Sequence, residues 1–183
     1  MASIFTLLTT IFLFFCSIGV GEGWQGEVKG PEIDGEERLM IKMINDYREG
    51  HGLERLQTSI TLTRAADWMT NDMATNNIFG HTDSLGRDPG ERIGSFGYTN
   101  RYYRGENLAA GFGDAKTTFK QWQDSPSHNA AMLHPKFKAI GISRYKDESS
   151  DYKWYWASDF GGYVDKTFEV ENSVEEERQN FRF

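Results

Sequence analysis

The 183-residue chain has one cysteine, Cys16, and it lies inside an uncharged apolar stretch at the N-terminus. A lone cysteine excludes an intramolecular disulfide framework and any zinc site built from several thiolates. Residues 1–21 carry no charged side chain, and the run from Ile4 to Cys16 is rich in Phe and Leu. That run falls short of the ~20 apolar residues a membrane span needs. Small residues follow at Ser17, Gly19 and Gly21, the kind accepted at a signal cleavage site. Residues 1–21 therefore read as an export signal without a basic n-region, removed after Gly19 or Gly21, leaving no stable membrane span. Its removal takes Cys16 with it. What remains, roughly 160 residues, is exported and must hold itself by core packing alone, which a chain of this size can do by burying ~68–70% of its unfolded surface.

A net charge of −7 argues against a nonspecific nucleic-acid binder, which needs a basic face for phosphates. The chain is 38% hydrophobic and 14% aromatic, a globular rather than a disordered composition. Residues 22–35 are Gly-rich and read as a flexible leader. Asp34 and Glu37 have the spacing of a capping box, and Leu39, Met40, Met43, Ile44 and Tyr47 recur behind them at helical period. A second helix is expected from about Thr63 to Asn76, with Ala66, Met69 and Met73 on one face. From Gly80 to Gly113 glycines are so frequent that the stretch reads as loop with one short helical turn. Asp114 is placed to cap a third helix with Phe119 and Trp122 inward, and Ser125-Pro126 to open a fourth through Leu133. Ala139–Tyr145 and Trp154–Phe160 are β-rich runs that suggest a hairpin. Residues 165–183 read as an acidic, solvated C-terminal tail.

No metalloprotease helix, Walker loop, nucleophile elbow or dinucleotide fingerprint occurs in the sequence. What remains is a scattered set: His81 beside Asp83, Glu106 before a run of small residues, and His128 at the start of the fourth helix. Two imidazoles and a carboxylate are ligand types for zinc with an open position, and equally a general acid–base set. Spacing alone does not bring them together. Auxiliary candidates have simpler readings beside any cleft role. Asp83 suits an Asx turn, Asn107 a backbone contact, and Ser125 a helix cap rather than a nucleophile, with Asp124 adjacent. Trp154 and Trp156 alternate in phase and suit one sheet face.

Six blocks then occur in order: His81-Thr-Asp-Ser-Leu-Gly86, Gly105-Glu-Asn-Leu-Ala109, Trp122-Gln-Asp-Ser-Pro-Ser-His128, Met132-Leu-His-Pro135, Ile140-Gly-Ile142 and Trp156-Ala-Ser-Asp-Phe-Gly161. Together they resemble the CAP superfamily (cysteine-rich secretory proteins, antigen 5 and plant pathogenesis-related group one proteins). The likeness is nearest to its disulfide-poor, bacterial-type members and spans residues 36–164. The resemblance implies an α+β fold, a three-layer α-β-α sandwich with a central cleft. It implies that two histidines and two acidic residues line that cleft, which in several members holds a divalent metal such as zinc. His81, Glu106 and His128 match three of those positions. The fourth departs from the pattern: Ser125 stands where a glutamate is usual, and Asp124 is its neighbour.

The resemblance implies a secreted, noncatalytic binding, defence or signalling module, with a lipid, a sterol or an extracellular protein as partner. Two alternatives stand beside it. One is a hydrolase, either metal-dependent through His81, Glu106 and His128 or using a serine such as Ser125 with His128 and Glu106. The other is a structural component of an extracellular matrix. No residue shows a paired base at readable spacing, which favours the noncatalytic reading.

Overall fold

The computed structural model describes residues 31–99 and 102–168. The expected signal with Cys16, most of the leader and the tail beyond residue 168 lie outside the described residues. Asp34 opens α1 (Gly35–Gly50): its carboxylate accepts from the N–H groups of Glu36 and Glu37, and Glu37 reaches back to the N–H of Asp34. The apolar stripe that follows faces inward, with Met40 and Ile44 fully buried. A two-residue strand, β1 (Gln57–Thr58), leads into α2 (Ile60–Thr75). This helix starts before the expected Thr63 because the Ser59 hydroxyl caps it, accepting from the N–H of Leu62 at 3.1 Å.

The Gly-rich stretch is more ordered than its composition suggests. Asp88 and Glu91 form a second capping box with Pro89 at the first turn, which starts α3 (Pro89–Ser95). The chain returns as a full strand, β2 (Arg104–Ala110), where the sequence read as loop. The correction has a physical reason: β2 takes its order from pairing along its whole length with a distant strand, which local glycine content does not report. Asp114 caps α4 (Ala115–Asp124) through its side chain, and Phe119 and Trp122 are buried. Ser125 holds the cap position of α5 (Pro126–Met132) without a side-chain cap bond; its hydroxyl lies 3.4 Å from that of Ser127. Strands β3 (Ala139–Lys146) and β4 (Trp154–Gly161) pair as the expected antiparallel hairpin.

The sheet order is β1-β3-β4-β2, with β1 parallel to β3 and the other pairs antiparallel, so β2 is an edge strand. Period-two alternation divides its side chains between two layers. Trp156, Phe160, Ile140, Ile142 and Ala109 pack with α1, α4 and α5. Tyr155, Ala157 and Leu108 pack against Ala66, Met69 and Met73 of α2, and Ile93 of α3 joins Leu62 and Ala65 nearby. The result is the three-layer α-β-α sandwich. Trp154 and Trp156 do share one face, and the Arg144 guanidinium lies over both rings, 4.7 and 5.7 Å from their centroids.

The fold does not stop at Val164. Thr167 forms an antiparallel bridge with Ser59, and the Ile60 N–H donates to the Lys166 carbonyl at 2.8 Å. Thr61 bonds the Asp165 carboxylate and Thr58 the Phe168 carbonyl. Residues 165–168 thus close the β1–α2 corner rather than beginning a solvated tail.

Candidate functional site

Glu106 sits in the middle of edge strand β2, on the same sheet face as Leu108, and its side chain is 1% exposed. Both carboxylate oxygens are engaged. Oε1 is 2.7 Å from Nδ1 of His81, which comes from the loop after α2. Oε2 pairs with the guanidinium of Arg92 on α3, a side chain that is itself fully buried. A second nitrogen of Arg92 donates to the His81 carbonyl at 3.3 Å, so one arginine holds both the carboxylate and the backbone of its imidazole partner. The hydrogen bond that the His81 ring donates to Glu106 raises the imidazole above its ordinary value, against a smaller opposing effect of burial.

Asp159 of β4 lies directly opposite Glu106 in the strand register. It is fully buried, and no N–H or hydroxyl group reaches either of its oxygens. Burial first, and then the charge of Glu106, hold its carboxyl well above the usual carboxylate range. Glu106 is therefore held by a guanidinium and an imidazole and faces a second buried carboxyl group.

His128 stands at the start of α5, where the Asn107 side chain of β2 donates to its carbonyl at 3.0 Å. Burial, and secondarily the charge of His81, push the His128 imidazole down. The two histidines are thus electrostatic neighbours across the edge of β2. Beside His128 runs a groove of about 540 Å³ lined by Phe79, Leu108, Ala109, Trp122, Tyr152 and His128. Phe79 and Tyr152 are each 49% exposed, with ring centroids 5.7 Å apart.

The remaining candidates from sequence separate cleanly. Asp83 folds its own loop: Oδ1 accepts from the N–H groups of Leu85 and Arg87, and Oδ2 pairs with the Arg87 side chain at 2.8 Å. Asp124 pairs with Lys120 and, with Ser125, marks the rim of the groove. Asn107 braces a helix rather than a loop. Among the described residues no hydroxyl is hydrogen-bonded to His81 or His128, and Ser125 faces Ser127. Sequence reasoning missed Arg92 and Asp159. The capping-box spacing of Asp88 and Glu91 was a legible signal for the helix that carries Arg92. For Asp159 the signal was a charged residue in phase with the inward Tyr155 and Ala157.

Among the described residues the three expected ligands are not gathered into one coordination set. Both oxygens of Glu106 already have partners, one of them a fixed cation. No group of three or more His, Cys, Asp or Glu side chains among the described residues is placed to hold a metal ion.

Residues 41–160 match the sequence profile of the cysteine-rich secretory protein family, CAP. The chain belongs to the CAP family. Its CAP domain is 26% identical to an outer surface protein of Borrelia burgdorferi, with a TM-score of 0.61 over 73% of this chain and 98% of that one. An extracellular protein containing an SCP domain from Bacillus anthracis has the same TM-score at 22% identity, over 72% of this chain and 44% of that one. The Bacillus subtilis protein YkwD, described as uncharacterized, is 29% identical over 130 residues, 71% of this chain. The chain spans 48% of the length of YkwD and 35% of a second B. subtilis relative, the uncharacterized membrane protein YlbC. With its single cysteine at position 16, this CAP chain is of the disulfide-poor, bacterial type. Among the described residues no helix of the CAP domain is long and apolar enough to cross a membrane.

Proposed function

We propose that this CAP chain is a noncatalytic binding domain acting outside the cytoplasm, which takes an amphipathic small molecule of the lipid or sterol class in the groove beside His128. The groove itself carries this reading. Its volume of about 540 Å³ is in the range of small-molecule sites, ~300–1,000 Å³. Leu108, Ala109 and Trp122 give it an apolar wall beside the half-exposed Phe79 and Tyr152, and His128 supplies a polar group along with Gln121, Asp124 and Ser125. With its imidazole pushed toward the neutral form, His128 can both donate to and accept from a headgroup hydroxyl or carboxyl. The uncharged residues 1–21 and the description of the Borrelia relative as an outer surface protein support action outside the cytoplasm.

The test is titration of the full chain with a fluorescent sterol and with a long-chain fatty acid, against Phe79→Asp. Saturable uptake of either probe, weakened roughly 10-fold or more by a charge placed at the mouth, is the expected result. Absence of uptake of both probes, or uptake indifferent to Phe79→Asp, would falsify it. One observation favours a second reading, hydrolysis: the Glu106 bond fixes the His81 ring through Nδ1 and leaves Nε2 to act as a base. Turnover of an ester or peptide panel, abolished by His81→Ala, would establish that reading instead.

A further inference from the structure

We infer that the buried Arg92 guanidinium is the resident cation of the Glu106 site, standing where a divalent metal would otherwise sit and positioning His81 through the carboxylate. Three observations lead there independently of what the groove binds. First, the contacts of Arg92 are those of a built-in counterion. Its side chain is fully buried, pairs with Oε2 of Glu106 and donates to the backbone carbonyl of His81. Arginine stays charged in any protein environment, so this cation is permanent.

Second, the guanidinium faces two buried carboxyl groups. Glu106 and Asp159 face each other across the β2–β4 pair. Both oxygens of Asp159 lack an N–H or hydroxyl partner, although the residue is fully buried. Two buried carboxylates against one guanidinium would leave a net negative charge out of water, which is costly. The buried Arg92 guanidinium, paired with Glu106, is the cation placed against this pair of carboxyls.

Third, a divalent ion has no unengaged oxygen of Glu106 to reach. Entry at Oε1 requires the His81 hydrogen bond to break, and entry at Oε2 requires displacement of a buried guanidinium of like charge. The imidazole that the family resemblance treats as a ligand is thus held by a carboxylate whose cation is covalently part of the chain. Arg92 acts here as a positioning residue: it reaches the exposed His81 ring only through Glu106.

The experiment is calorimetric titration of the full chain with zinc, comparing wild type, Glu106→Gln and Arg92→Met, with the His81 imidazole followed by NMR. The inference expects any wild-type zinc uptake to be the same in Glu106→Gln. It expects Arg92→Met, which keeps a shorter unbranched apolar stem and removes the guanidinium, to gain zinc affinity by roughly 10-fold or more. That gain should vanish when Glu106→Gln is added. Stoichiometric zinc uptake by the wild type that is lost in Glu106→Gln would overturn it, as would a folded Arg92→Met that gains none. Should Arg92→Met fail to fold, the wild-type comparison and the NMR signal decide: zinc must leave the Nδ1 proton of His81 on Glu106 undisturbed, and its displacement overturns the inference.

Discussion

At the scale of single residues, two positions carry large consequences for stability. Gly141 lies on β3 where α2 crosses it, and a Cβ there would fall well inside van der Waals contact with the backbone of Leu62 and Thr63. Backbone cannot swing aside as a flexible side chain does, so Gly141→Ala is expected to cost about 1–3 kcal/mol or more, read as a drop in denaturation midpoint. Glu37 is the second. Burial outweighs its two backbone hydrogen bonds and pushes its carboxyl from an ordinary 4.5 up to about 7. A folded-state value above the unfolded one means that its contribution is fully present below pH 4.5 and is lost as pH rises through about 7. The change across that window is about 3 kcal/mol. Chemical denaturation of Glu37→Gln should therefore show a flatter decline of stability between those pH values than wild type, whatever its absolute level. The site residues divide along a related line. His81, Glu106 and His128 stand in recognisable blocks and were legible from sequence. Arg92 lies outside those blocks and Asp159 lies inside one without its role being readable, because a buried charge makes sense only through a partner elsewhere in the chain, 14 residues off for Arg92–Glu106.

At the scale of elements, local chemistry was readable wherever a side chain bonds its own helix. The capping box at Asp34 and the cap at Asp114 stand as their spacing implied. Where order comes from distant pairing, the sequence was silent. Strand β2 contains two alanines and a glycine and has no strand signature of its own, yet it pairs along its full length with β4 and carries Glu106. The two-residue β1 was invisible for the same reason. Serine at a helix start illustrates how far position alone can be trusted. Ser59 and Ser125 both occupy N-cap positions, but only Ser59 makes the bond that defines a cap. Ser59→Ala should cost about 1 kcal/mol, and Ser125→Ala should fall within about 0.5 kcal/mol of wild type. Equal losses in paired urea melts would show that the geometry at one of these helix starts is misassigned.

At the scale of the whole molecule, a CAP domain without disulfides must close its layers by packing and hydrogen bonding, and the last described residues take part. The family match ends at residue 160, yet residues 165–168 return to the corner where β1 passes into α2. That corner is the parallel, two-residue edge of the sheet, the place with the fewest ladder bonds of its own. Ile60 is 2% exposed, and its N–H, among those a helix leaves without an internal partner, is satisfied by the carbonyl of Lys166. A chain ending at Val164 keeps every residue of the six recognisable blocks but loses this acceptor, the Ser59–Thr167 bridge and the bonds to Asp165 and Phe168. An unsatisfied buried donor costs ~1–3 kcal/mol. Two truncations, one after Val164 and one after Phe168, isolate this contribution. The longer should melt like the full chain, and the shorter should be less stable by about 1–3 kcal/mol, with the earliest loss of amide protection at Ile60. Identical melting of the two would mean that the β1–α2 corner closes on its own.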